Sequence, residues 1–459
     1  MISGTLYGAV IFITFLAIFW AVTRYSEEKT FLRIVMFSSL CYGILVVVLV
    51  RAIFRDILED PVYFPDAYSY LNYAAAKVAE WHGEGTLGYI PLATRGYTYF
   101  VAIIFLLFGP NIYAVIFAQL ILASLVPVLT FSIARQLLNE KTAKCAAFLV
   151  AFYPDLYVWA SFALKEVLAT FLICLAMDQF LKFRPSSNKK SLLTILGSVV
   201  FLLFVRPYIA LFLGLIFLFT SMWPFSIKKL IWLPIAVGVF IIFMRRSGLP
   251  DFLTIVSEYP LPVYSRGEIL ATGALPELLR GLISGQLLPY LVMGIGRYLF
   301  SPLPWQATNA YQAVVPGTIL WYFLFPALIL GAIKAIKMRR LFIPIIVILF
   351  LTFWYSLIAT GTDPRWRFMS VPFACIFSAY GFRWLLKSLS GVMIWICGIF
   401  IIWFSLSAYT LGIRFLLRVF VPVLFVGILG ILTVFRQQAG EGKKNERVPG
   451  HYHSNRSFQ

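Results

Sequence analysis

Gly96-Tyr97-Thr98-Tyr99-Phe100-Val101-Ala102-Ile103-Ile104-Phe105-Leu106-Leu107-Phe108-Gly109 is the stretch on which the threading of this chain turns. Its apolar core runs for only about 13 residues, whereas a membrane-crossing helix needs roughly 17–25. It therefore reads as an interfacial or half-inserted helix on the side of the polar loop before it. Were it to cross, the basic loop carrying Arg135, Lys141 and Lys144, and every segment after it, would change sides.

Working outward, apolar runs of helix length surround this segment on both sides. Two runs precede it, about 5–22 and 34–54, the second opening a polar outer loop near Arg51 and Arg55. After it come the run 111–133, hairpins at about 145–157/160–181 and 191–205/208–224, and a run at about 230–244. A second outer loop, about 245–311, leads to runs near 312–333, 341–359, 368–386, 390–410 and 415–435. The expectation is an all-α polytopic membrane protein of about 13 transmembrane helices, with interfacial helices in the first outer loop, about 55–110. Residues 1–435 form one transmembrane unit in this reading, and 436–459 a basic cytoplasmic tail.

Composition agrees. Of 459 residues, 61% are hydrophobic and 12% charged, far from the balance of a soluble domain, and continuous apolar runs exclude the alternation of a β-barrel. The 38 Lys and Arg against 19 Asp and Glu give net charge +19, and most of the excess falls on loops that parity places in the cytoplasm. Arg245-Arg246, Arg414 and Arg418 fall on the other side, so the rule holds in bulk only. The charge is therefore read as orientation, not as a nucleic-acid surface. Parity puts the N-terminus outside, and the start Met1-Ile2-Ser3-Gly4 lacks the basic n-region of a cleaved signal peptide. The five cysteines lie inside apolar runs without metal or disulfide spacing. No repeat of the two halves is evident, which disfavours a transporter.

The outer face collects charge of both signs. Asp66, with Glu80 and Glu84, lies in the first outer loop, and Asp155 follows Pro154 at the next hairpin tip. Arg95, Arg206, Arg365 and Arg367 share that face, and charges at a membrane surface are costly enough to suggest a site. A carboxylate can deprotonate a hydroxyl nucleophile, and arginines can hold a phosphate as it gains charge on leaving. Asp66 follows Pro65 at a helix start, where it can equally be an N-cap. His82, between charged neighbours, reads first as a surface residue. Lys165 and Glu166, adjacent and near the outer end of a run, can each reach the site or pair with a neighbour.

Five pieces in order resemble the GT-C class of membrane glycosyltransferases, in the branch of protein O-mannosyltransferases and lipid A aminoarabinose transferases. They are Asp66 with Tyr70 to Ala74; Gly96-Tyr97-Thr98-Tyr99-Phe100 continuing through Gln119-Leu120 and Ala134-Arg135 to Tyr153-Pro154; Lys165-Glu166; Val205-Arg206-Pro207; and Arg365-Trp366-Arg367-Phe368 with Pro372. The resemblance spans roughly residues 55–385. It implies a polyprenyl-phosphate- or pyrophosphate-linked sugar donor and an inverting transfer to a lipid, glycan or protein acceptor at the extracytoplasmic face of a plasma membrane. It casts Asp66 as general base with Asp155 assisting, and Arg95, Arg206, Arg365 and Arg367 as donor-phosphate ligands. Tyr70, His82, Lys165 and Glu166 are further candidates. Ala67 stands where many relatives carry a second acid, so no obligate metal is assigned, although a divalent cation is compatible with the site. Nothing after the last span resembles a large soluble domain, so an oligosaccharyltransferase-type role is not expected. A polysaccharide polymerase or ligase acting on lipid-linked glycans is the alternative, and a flippase of such lipids the more distant one.

Overall fold

The computed structural model describes residues 28–55, 65–222 (save 87 and 89), 294–303 (save 297 among them), 309–336, 342–358, 364–387 and 389–411, with positions 17, 307 and 338; positions 304–306 and 308 are outside it. Among these residues every regular element except short 3-10 turns is an α-helix, and there is no strand. In chain order the helices are α1 (Lys29–Ile53), α2 (Pro65–Trp81), α3 (Leu92–Phe108), α4 (Ile112–Leu137), α5 (Glu140–Ala151), α6 (Asp155–Ser161), α7 (Glu166–Ser186), α8 (Lys189–Leu203) and α9 (Pro207–Met222). After the second loop come α10 (Val315–Ala335), α11 (Phe342–Ile358), α12 (Pro364–Phe368), α13 (Val371–Leu385) and α14 (Leu389–Leu411).

Among the described residues three helical segments, Lys29–Ile53, Ile112–Leu137 and Tyr311–Ala335, are long and apolar enough to cross a membrane. At 1.5 Å per residue, the 25 residues of α1 reach about 37 Å. Shorter apolar helices stand beside them at 92–108, 207–221, 343–352 and 390–402. The chain is a membrane protein. The runs expected at 5–22, 230–244 and 415–435, most of the second outer loop and the tail at 436–459 lie outside the described residues.

Helix starts follow local chemistry. Asn111, Asn139 and Asn188 each cap a helix, their side-chain oxygens accepting from the amides of Tyr113, Thr142 and Lys190 at 2.9–3.0 Å. One boundary departs from expectation. The run read at 145–157 is not one helix: α5 ends at Ala151, and α6 restarts at Asp155. Pro154 is the reason, because it has no amide to donate and disfavours helical backbone at the residue before it.

The bundle closes where side chains are smallest. α10 and α13 cross at Gly331 and Gly381, and a Cβ on either would overlap a backbone carbonyl of the opposite helix, Phe377 O or Ala327 O. On the other side Ser39 of α1 meets the Tyr157 hydroxyl of α6 at 2.6 Å, over Gly43. α7 runs through the middle, buried on most of its surface, and its Asp178 accepts from Gln136 of α4 at 2.9 Å and from Lys182 at 2.6 Å. The Gln136 hydrogen bond ties α4 to α7, and the ion pair with Lys182 lies within α7, far from the charges described next.

Contacts at both ends of α3 bear on how the chain is threaded. Near its start, Gly96 N–H donates to Phe204 O at 2.8 Å, and the Tyr97 hydroxyl donates to Ala163 O at 2.6 Å. Just past its end, the Tyr113 ring lies 5.2 Å from the guanidinium of Arg51, which donates to Ser161 O at 3.0 Å.

Candidate functional site

The turn at 161–166 is the floor of the site, and its backbone is unusual. Ala163 has φ 52°, the left-handed region that costs an L-residue about 1–2 kcal/mol. The Tyr97 and Arg51 hydrogen bonds to its two sides hold it there. The turn delivers Lys165 and Glu166 to the first residues of α7, both almost fully buried.

Glu166 pairs with Arg206, which lies between α8 and α9, and Arg206 also donates to the Tyr208 hydroxyl at 3.0 Å. The second carboxylate oxygen of Glu166 is buried and has no hydrogen-bond partner among the described residues. Lys165 Nζ donates to Ala93 O at 2.7 Å and stands 5.4 Å from the centre of the Tyr70 ring.

Asp66, in the first turn of α2, forms a salt bridge with Arg365 of α12 at 2.9 Å. About half of the Asp66 side chain is open, at 48%, and Arg365 is less so, at 21%. The pair therefore sits at the mouth, with the Glu166–Arg206 pair behind it. Tyr70, one turn after Asp66, is the wall between them: it is buried and packs edge-on against Tyr97, with ring centres 5.1 Å apart. Burial raises its phenol, and Asp66 and Glu166 act in the same direction. The charges of Asp66, Glu166, Arg206 and Arg365 all act on Lys165 or Tyr70, so these six side chains form one electrostatic unit.

Arg367 lies two residues beyond Arg365, about 200° around α12. It points the other way and is 1% exposed. It donates to Leu299 O at 2.8 Å and to Thr318 Oγ1 at 3.2 Å, with its guanidinium 5.1 Å from the Trp321 ring centre. The sequence put it among phosphate ligands; here its donors are engaged by protein oxygens in a closed chamber. Asp155, expected to assist Asp66, is in that same buried group, its carboxylate against Gly317, the neighbour of Thr318. Asp66 has Arg365 instead. The two carboxylates thus belong to separate groups joined through α12.

Gly317, at the start of α10, completes the chamber. A Cβ there would overlap the Asp155 carboxylate, and the Gly317 carbonyl accepts from the Tyr153 hydroxyl at 3.1 Å. Gly317→Ala is expected to lower the thermal midpoint by several degrees, because buried Asp155 has no room to retreat; a midpoint within a degree of wild type would show that it has. Nothing in the sequence marked Gly317, Thr318 or Trp321, since their importance comes from what packs against them.

Two candidates stay apart from the cluster. Arg95 turns back and donates to Ile90 O at 3.1 Å, while His82 is exposed at the far end of α2. Among the described residues no three His, Cys, Asp or Glu side chains gather as a metal site. Asp66 is bound to Arg365, and Ala67 follows it in the sequence.

Comparison with known proteins bears on this arrangement. Residues 95–246 match the family described as dolichyl-phosphate-mannose-protein mannosyltransferase. That segment takes in Lys165, Glu166 and Arg206 and leaves out Asp66, Arg365 and Arg367. No curated protein matches the chain. Among solved structures, the oligosaccharyltransferase of Archaeoglobus fulgidus in its apo form is 14% identical, with TM-score 0.42 over 76% of this chain and 50% of that one. The same protein with Zn and sulfate is 13% identical, with TM-score 0.42 over 80% and 52%. The form named AglB, in complex with an inhibitory peptide and a dolichol-phosphate, is 12% identical, with TM-score 0.41 over 88% and 55%. The chain spans about half the length of these structures.

Proposed function

We propose that this protein is a membrane glycosyltransferase that moves a sugar from a polyprenyl-phosphate or pyrophosphate donor to a lipid, glycan or protein acceptor. The mannosyltransferase family segment supports the reaction class. The observation that carries the reading is the Asp66–Arg365 pair at the mouth, backed by Glu166–Arg206. It brings a half-open carboxylate and two guanidiniums to one opening, which is what base-assisted departure of a phosphate needs.

In this reading the acceptor hydroxyl gives its proton to the Asp66 carboxylate as its oxygen bonds to the anomeric carbon. The bond from that carbon to the phosphate oxygen breaks on the opposite side, inverting the centre, and the phosphate keeps the electron pair. Arg365 and Arg206 stabilise the charge that collects there. A donor phosphate competes with the Asp66 carboxylate for Arg365, so binding of the donor frees the base at the moment it is needed. No step is routed through a metal.

The basic clusters on the opposite loops support an extracytoplasmic site in a plasma membrane, with one transmembrane catalytic unit over 1–435 and the tail inside. The length of α3, 17 residues, supports its interfacial placement. The test is to purify the protein from its native membrane, identify the co-purifying lipid by mass spectrometry and supply it with cell-envelope acceptors. A glycosyl-linked polyprenyl phosphate that is consumed as product forms is the expected result. A preparation that carries and turns over no lipid-linked sugar overturns the reading.

A further inference from the structure

The buried polar group behind α12 has no part in the chemistry above, yet its arginine is hydrogen-bonded on two sides. Arg367 is sealed from solvent and held from two directions, by the Leu299 carbonyl and by Thr318 of α10, with Trp321 flanking its guanidinium. Asp155, 1% exposed, lodges its carboxylate against Gly317, the neighbour of Thr318, in the space that a side chain there would fill. One Asp155 oxygen accepts no hydrogen bond among the described residues, so the carboxylate is placed there at a cost in desolvation. A five-residue helix cannot hold its own register, because most of its amides and carbonyls are terminal. What fixes α12 is therefore this anchor. Arg365, two residues upstream, leaves the opposite side of the same helix and reaches Asp66 at 2.9 Å.

We propose that Arg367 is a positioning residue that sets the rotation of α12 and so aims Arg365 at the donor phosphate. The inference rests on the donor reading given under the proposed function. Arginine suits the role because its planar fork engages acceptors in two directions at once, which a lysine ammonium does not reproduce at the same angles. Arg367 does not touch the donor and acts through Arg365.

The test is a double-mutant cycle on the full chain in detergent, with farnesyl phosphate as the probe and its dissociation constant as the readout. Arg365→Gln is expected to weaken binding at least about tenfold by removing a charge-assisted contact. Arg367→Lys is expected to weaken it about tenfold in the otherwise native chain but less than about twofold in the Arg365→Gln background. A general structural role would give the same factor in both backgrounds, and that result overturns the inference, as does native affinity in Arg367→Lys. Should Arg367→Lys fail to fold, Thr318→Val removes one of its two acceptors; about a threefold loss that vanishes in the Arg365→Gln background supports the inference, and an equal loss in both overturns it. If the native chain does not bind farnesyl phosphate, the donor reading fails and the inference with it. Native binding with uncoupled variants defeats the inference alone.

Discussion

Asp66→Asn is expected to fold normally and to lose sugar transfer by about 10²–10⁴-fold in turnover, the usual contribution of a positioned general base. The amide keeps the size and helix-start position of the carboxylate, and its oxygen can still accept from Arg365. It cannot take a proton. The cost in stability is small, because the Asp66–Arg365 pair is open to solvent on the acid side, and such pairs contribute about 1 kcal/mol or less. Steady-state kinetics with the co-purified donor, alongside a thermal melt, measures both quantities. Full turnover in a folded variant would remove Asp66 from the chemistry. It would favour the arginine-dominated polymerase or ligase, provided Arg206→Gln and Arg365→Gln are inactive.

Glu166→Ala is expected to show the opposite pattern, a large loss of stability. Glu166 is 1% exposed and Arg206 12%, so removal of the acid strands a cation that has given up most of its water. Breaking a buried pair from one side costs about 3–5 kcal/mol. For a chain of this size that corresponds to a fall in midpoint of about 3–5 °C. Replacing both partners, as Glu166→Leu with Arg206→Met, is expected to recover much of that stability, since apolar residues of similar volume avoid the desolvation cost altogether. It will not recover activity if Arg206 holds donor phosphate. A double variant no more stable than Glu166→Ala would mean that the pair holds the α7–α9 region by something other than charge balance. The contrast between the two positions comes from depth alone. Both are carboxylates paired with an arginine, one at the mouth and one beneath it.

Much of the architecture was legible before any coordinates. The run at 312–333 became α10 at Val315–Ala335, and the run at 390–410 became α14 at Leu389–Leu411. The break at Pro154 is where reading by hydropathy fell short: the flanking residues are apolar on both sides, and the missing amide of one proline outweighs them. The count of about 13 spans remains an expectation from hydropathy and charge. Asp66, Arg206 and Arg365 were visible as charges at the ends of apolar runs. Their pairing was not, nor was the chamber that holds Arg367.

The length, the apolar runs, the asparagine caps and the side on which most basic residues fall are local quantities, and the sequence by itself determined them. Each depends on a few neighbouring residues and on the solvent around them. Whether Arg365 or Arg367 faces the opening is of another kind. The two are separated by Trp366 alone, and the choice depends on Leu299 and Thr318, which lie 66 and 47 positions before Arg365 (365 − 299, 365 − 318). Only the tertiary structure decided it, because a short helix takes its rotation from whatever buried partner satisfies its charged side chain, and the chain must be packed before that partner arrives.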